Sequence, residues 1–233
     1  MIRIAGLPAP PVPRLLAALA ARGHPVESGR PFSPDSMVPE GTTLVLGPGD
    51  EPSMPALLAR AGAPRGAGPR LLVLSLVGAH PDARLAMLRR LWALEEQARA
   101  TGLPVLTLRL APIVGPRSPL WLKLRTRPGL PRGSRRLLNP VFEPDVLDTL
   151  ERALSGRARW EGWYEVAGPE AVSLAELAAW ARGLGPAREA GVAAWEPPLE
   201  VLAEQRLSDA RPWVEHFGIE PARLSAGAME SAA

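Results

Sequence analysis

The sequence contains no cysteine, one lysine (Lys123) and one tyrosine (Tyr164) in 233 residues. Without cysteine there are no disulfides, no thiolate nucleophile and no cysteine-ligated metal. The three histidines, His24, His80 and His216, lack metal-ligand spacing, so metal chemistry is not expected. No run approaches the roughly 18 to 20 uninterrupted apolar residues of a membrane-spanning helix. The opening Met1-Ile2-Arg3-Ile4-Ala5 enters a strand pattern rather than a charged and then apolar leader, which makes a cytoplasmic location the expectation. Acidic residues are missing altogether between Gln97 and Phe142.

What is present is ordinary for a globular chain, with 46% hydrophobic residues to fill a core. The net charge is only +3, and the isoelectric point near 10.4 follows from how little titrates between neutrality and high pH. Charge is instead divided along the chain. Residues 1–142 carry 19 basic and 8 acidic side chains, and residues 143–233 carry 8 and 16. Opposite fields of this kind favour an internal interface or an anionic partner for the first part.

Ile2 to Ala5 reads as a strand, followed by Gly6 and a helix from Pro13 to Arg22 that closes on Gly23. Further strands are expected at Pro25–Ser28, Thr42–Leu46, Leu71–Val77 and Val105–Leu110, with helices over 53–61 and 82–100. Leu71–Val77 is apolar almost throughout, as in sheets covered on both faces. Strands alternating with helices predict an α/β fold with a parallel sheet and right-handed crossovers. After Gly115 the regularity stops, and 116–140 reads as an irregular Pro/Gly/Arg-rich stretch. A helix Pro144–Leu154, a strand Trp163–Val166 and a helix Ser173–Leu184 follow. Ser173 and Glu176 form a capping box at the start of the last. The tryptophans other than Trp121 mostly occupy positions a helix or strand would bury.

These segments resemble the atypical and extended short-chain dehydrogenase/reductase family, which includes nucleotide-sugar epimerases. The likeness rests on Gly6 with Arg22-Gly23-His24, on Leu72 to Ala79, and on Glu95-Glu96 through Thr101-Gly102-Leu103 to Leu108-Arg109 and Gly115. It continues through Pro140-Val141-Phe142-Glu143-Pro144-Asp145-Val146 and Tyr164 to Glu170. The resemblance implies a Rossmann-like core over 1–115, and an irregular basic loop with a smaller C-terminal α+β part over 116–233, packed as one compact unit. It also implies an NAD(P) site, with Gly6, Arg30, Ser75 and Pro112 at cofactor-side positions.

The departures from the family weigh against its chemistry. A dinucleotide turn uses three glycines, and the alignment places Ala9 and Val12 at the second and third. Prolines 8, 10, 11 and 13 remove backbone N–H donors from the same turn. The family's catalytic tyrosine and the lysine four residues later align with Met87 and Leu91, and no Tyr-x-x-x-Lys exists anywhere in the chain. The connection from the second strand to Thr42 is too short for the strand and helix usually found there.

The expectation is therefore a non-catalytic, pseudoenzyme-like relative acting as a binding or scaffold protein, with no cofactor. The alternatives are an NAD(P)-dependent oxidoreductase or epimerase with a non-standard site, weakly binding NAD or NADP, and an accessory subunit of a larger complex. Ser75 reads first as structural, and Arg109 as a carboxylate's partner. Residues 117–136 hold Arg117, Lys123, Arg125, Arg127, Arg132, Arg135 and Arg136 around the apolar Leu120-Trp121-Leu122. One reading is a solvated loop with Trp121 tucked inside. The other is a surface comprising Trp121, Lys123, Arg125, Arg127, Arg135 and Arg136 that meets an acidic protein or an anionic membrane, or builds a homo-oligomer. The absence of an aromatic ladder argues against nucleic acid.

Overall fold

The computed structural model describes residues 2–4, 12–24, 26–28, 41–47, 69–115, 118–126, 129–183, 199–202, 204 and 207–224. The first elements are β1 (Ile2–Ile4), α1 (Val12–Ala21), β2 (Val26–Ser28), β3 (Thr43–Leu46), β4 (Arg70–Leu76), α2 (Ala86–Arg99) and β5 (Val105–Leu110). Then come β6 (Ile113–Val114), α3 (Pro119–Thr126), β7 (Leu137–Leu138), β8 (Val141–Phe142), α4 (Glu143–Leu154) and β9 (Trp163–Val166). The last are β10 (Val172–Ser173), α5 (Leu174–Gly183), α6 (Leu199–Leu202) and α7 (Arg211–Phe217). The expected helix over 53–61 lies outside the described residues.

Six strands form one sheet in the order β2-β1-β3-β4-β5-β9. β1 pairs in parallel with both β2 and β3, and β3 in parallel with β4. The chain thus steps outward from β1 to β2 and then crosses to the other side of β1, which makes the β1/β3 junction the point where strand order reverses. In the doubly wound order 3-2-1-4-5-6 a further strand lies outside the second; here β3 takes the place beside β1, and no strand flanks β2 among the described residues. The fold is α/β, a parallel sheet flanked by helices.

β4 is buried from Leu71 to Leu76, as its continuous apolar run predicts. Leu44, Leu46, Leu71, Val73 and Val105 form one cluster with Leu94 and Ala98 of α2. The helix is shorter than the expected 82–100, because local bonds hold the chain in turns before Ala86. The Asp82 N–H donates to His80 Nδ1 at 3.2 Å, and the Arg89 guanidinium donates to the carbonyls of Ala83 and Arg84 at 2.6 and 2.8 Å.

The chain divides into two compact units, Met1–Arg109 with Leu150–Tyr164, and Leu110–Thr149 with Glu165–Ala233. In the second, the stretch expected to be irregular contains α3. Ser118 caps it, its Oγ accepting the Trp121 N–H at 3.1 Å, and Pro119 occupies the first helical position. Leu120, Trp121 and Leu124 of α3 pack with Leu174, Leu177, Ala178 and Ala181 of α5. The capping box closes as the sequence predicts. The Glu176 N–H donates to Ser173 Oγ at 3.2 Å, and the Ser173 N–H donates to Glu176 Oε2 at 2.7 Å. α7 ends on Gly218 at φ +61°. Its Trp213 donates through Nε1 to Thr149 Oγ1 at 3.0 Å, which ties it to α4.

Among the described residues no helix is long and apolar enough to cross a membrane.

Candidate functional site

In open α/β sheets ligands sit beyond the carboxyl ends of the strands, where the strand order reverses. That point lies between β1 and β3, with the end of β4 next in line. Ser75 stands near the end of β4, 1% exposed, and its hydroxyl has no hydrogen-bond partner among the described residues. Strand alternation puts Ser75 on the face of Val73, toward α2. Thr107, two residues after Val105 on β5, faces the same way, and its hydroxyl is also buried and unpartnered among the described residues. Beyond β4 the chain turns at Gly78, with φ +91°, against Leu88 of α2.

On α2 itself, Met87 is half-buried and Leu91 is 0% exposed. Neither can accept or deliver a proton. The buried charge on this helix is Glu95, held by Arg109 of β5 through Nε at 3.0 Å and Nη2 at 2.7 Å. Arg99 Nη2 lies 3.7 Å away on the same carboxylate. The reading of Arg109 as a carboxylate's partner therefore holds. Which acid it meets was not visible, because Glu95 and Glu96 are adjacent and only the helix face separates them.

Tyr164 is half-buried on β9. Burial pushes its phenol above the ordinary value, the Glu161 charge adds to this, and Arg159 opposes it. Gly6, Arg30 and Arg127 lie outside the described residues. Pro112, in the second unit, is buried and its carbonyl accepts the Val141 N–H at 3.0 Å. Among the described residues no group of three or more histidines or carboxylates could hold a metal ion.

The basic segment needs a correction at its centre. Trp121, expected as part of an exposed partner surface, is 1% exposed and sits in the core of the second unit with Leu120 and Leu124. The helix made by 119–126 turns those three side chains to one face. Lys123 and Arg125 are half-buried, while Arg135 and Arg136 are exposed. Arg136 meets Glu204 at 3.3 Å. Trp163 and Trp180, read as core, are instead about half exposed. Trp163 serves as a platform for the Arg109 guanidinium, 4.2 Å from its ring centre.

Two polar groups make contacts that the sequence reading did not assign, the buried Asp145 and the half-buried Asn139. Asp145 accepts the Ala222 N–H at 2.9 Å, and burial raises its carboxyl above the ordinary range, with Asp148 adding to the rise. Asn139 donates to the Glu170 carbonyl at 3.0 Å and accepts the Ser208 N–H at 3.0 Å. Neither contact is visible in the sequence, since each joins segments far apart in the chain.

No protein-family model matches the sequence, and no curated protein matches it. Solved structures do match its shape. MoeE5, solved with UDP-glucuronic acid and NAD, superposes with a TM-score of 0.67 at 17% identity, over 99% of this chain and 96% of that one. The Bordetella bronchiseptica enzyme WbmG, solved with NAD and UDP, gives 0.62 at 15% identity over 99% and 93%. The UDP-glucose 4-epimerase of Thermotoga maritima, solved with UDP-glucose, gives 0.62 at 14% over 99% and 96%. The chain has the fold of the NAD-dependent epimerases and dehydratases.

Proposed function

We propose that the chain is a binding or scaffold protein on the epimerase fold, without the family's tyrosine and lysine chemistry. The observation that carries this is Leu91, fully buried in α2 where the resemblance puts the lysine, with Met87 at the tyrosine position. The one tyrosine in the sequence has its phenol shifted upward. The residues also fit a dinucleotide poorly. α1 begins at Val12 with Pro13 as its second residue, so one of the first-turn N–H groups that would meet a pyrophosphate is missing. A place as an accessory subunit of a larger complex is a separate alternative.

A second reading is an NAD(P)-dependent oxidoreductase or epimerase with another acid/base. Structural neighbours solved with NAD and UDP-glucuronic acid or UDP favour it, and Ser75, buried with a hydroxyl unpartnered among the described residues, is the group it would use. Thermal unfolding with NAD(H) or NADP(H), combined with an assay for hydride transfer, separates the two. A ligand at 100 times its Kd adds about 2.7 kcal/mol, so the first reading expects no shift at millimolar cofactor and no turnover. Turnover that disappears in Ser75→Ala establishes the second.

A further inference from the structure

We infer that the turn Arg132–Arg136, together with the exposed Leu137 and Leu207, is a docking surface for an acidic protein segment. This goes beyond the binding reading above, because it lies wholly in the second unit and needs no ligand in the sheet.

The turn is fixed by its own backbone. The Ser134 N–H donates to the Pro131 carbonyl at 3.3 Å and the Arg136 N–H to the Gly133 carbonyl at 2.9 Å. Gly133 adopts φ +88°, a left-handed conformation that suits glycine. The Ala175 N–H donates to the Ser134 carbonyl at 3.0 Å and ties the turn to the start of α5. Arginines carried on such a frame lose less backbone freedom when they engage a partner. Arg132 and Arg135 are exposed and have no ion-pair partner among the described residues.

Two contacts bring a second segment alongside. Arg136 meets Glu204, and Asn139 Oδ1 accepts the Ser208 N–H, so Glu204 and Ser208 each touch the segment 136–139. Leu137 at 47% and Leu207 at 54% exposure stand on these adjoining segments, the two most exposed large aliphatic side chains described. Apolar side chains beside cationic ones match the composition of protein interfaces, where arginine is enriched and its planar fork grips carboxylates in pairs. A membrane fits less well. Trp121 and Leu120, the side chains that would insert among lipid tails, are inside the core.

The test uses the full chain and a fluorescein-labelled peptide of alternating glutamate and leucine, read by anisotropy. Binding should weaken at least about tenfold in Arg132→Glu/Arg135→Glu and in about 0.5 M salt. It should weaken severalfold in Leu207→Ser and in Arg132→Lys/Arg135→Lys, which keeps the charge and loses the fork. The melting temperature should stay unchanged in all of them. Vesicles of phosphatidylglycerol and sedimentation of the chain alone run in parallel. The inference is overturned if the peptide does not bind, or if its binding ignores the charge reversal. It is equally overturned if the reversal lowers the melting temperature, which puts the arginines in intramolecular pairs. Vesicle binding or self-association lost on reversal, with no peptide binding, assigns the surface to lipid or to a second copy instead.

Discussion

Arg109 and Glu95 form a buried ion pair in which Arg109 Nε lies 3.0 and 3.2 Å from the two carboxylate oxygens and Nη2 2.7 Å from one of them. The pair joins β5 to α2. Burial makes it matter asymmetrically, because a buried Glu95 left with only the longer 3.7 Å contact to Arg99 is costlier than the loss of both partners. Arg109→Leu should therefore destabilise the chain by about 3–5 kcal/mol. The double change Arg109→Leu/Glu95→Leu should cost clearly less than the single one. Urea unfolding of both variants decides it, and a double variant as unstable as the sum of the singles would contradict the account.

Trp121 gives a direct test of which part of the basic segment is core. Trp121→Ala should cost about 3–5 kcal/mol, the range for an aromatic removed from a packed interior. Arg135→Glu, nearby in sequence and exposed, should change stability by no more than about 0.5 kcal/mol. Denaturant midpoints that rank the two the other way would return Trp121 to the surface.

Gly168 is a position where no side chain fits, since a Cβ there would collide with the carbonyl of Pro140. Its own N–H donates to the Asn139 carbonyl at 3.3 Å, so the two strands of chain cannot part without losing that bond. Gly168→Ala should cost more than about 4 kcal/mol or prevent folding. Gly129→Ala, with nothing among the described residues within 4 Å of the added carbon, is the control and should leave the melting curve near wild type. Equal melting temperatures for the two would refute the close approach.

Asp145 should leave a signature in the pH dependence of stability. Its folded carboxyl lies above the ordinary 3.8, chiefly through burial, with the Ala222 N–H opposing and Asp148 reinforcing. Because the folded state holds the proton more tightly, this group's contribution is full below 3.8 and is lost as pH rises through the raised value. Asp145→Asn keeps an acceptor for the Ala222 N–H and removes the buried charge. The variant should match or exceed wild type at neutral pH and show a flatter profile on the acid side. A steeper profile in the variant would mean the carboxylate is stabilised in the fold.

Much of the architecture was legible because it is local. β4 shows as an unbroken apolar run, β9 begins and ends at Trp163 and Val166 as read, and Ser173 with Glu176 announces α5 three residues apart. The start of α2 was misplaced because the bonds from His80 and Arg89 compete with the helix and have no periodic trace. α3 was missed because eight residues between prolines and glycines carry too few turns for a helical period to emerge.

By itself the sequence determined what chemistry is unavailable. One tyrosine and one lysine 41 positions apart cannot make a Tyr-x-x-x-Lys pair in any fold, and no cysteine means no thiolate. Only the tertiary structure decided which side chains of the basic segment are core and which are surface. Trp121 and Arg135 lie in the same stretch, yet α5, some fifty residues onward, covers the first while the turn at Gly133 lifts the second into solvent. Burial is a property of contacts made across the chain, and residue type alone does not carry it.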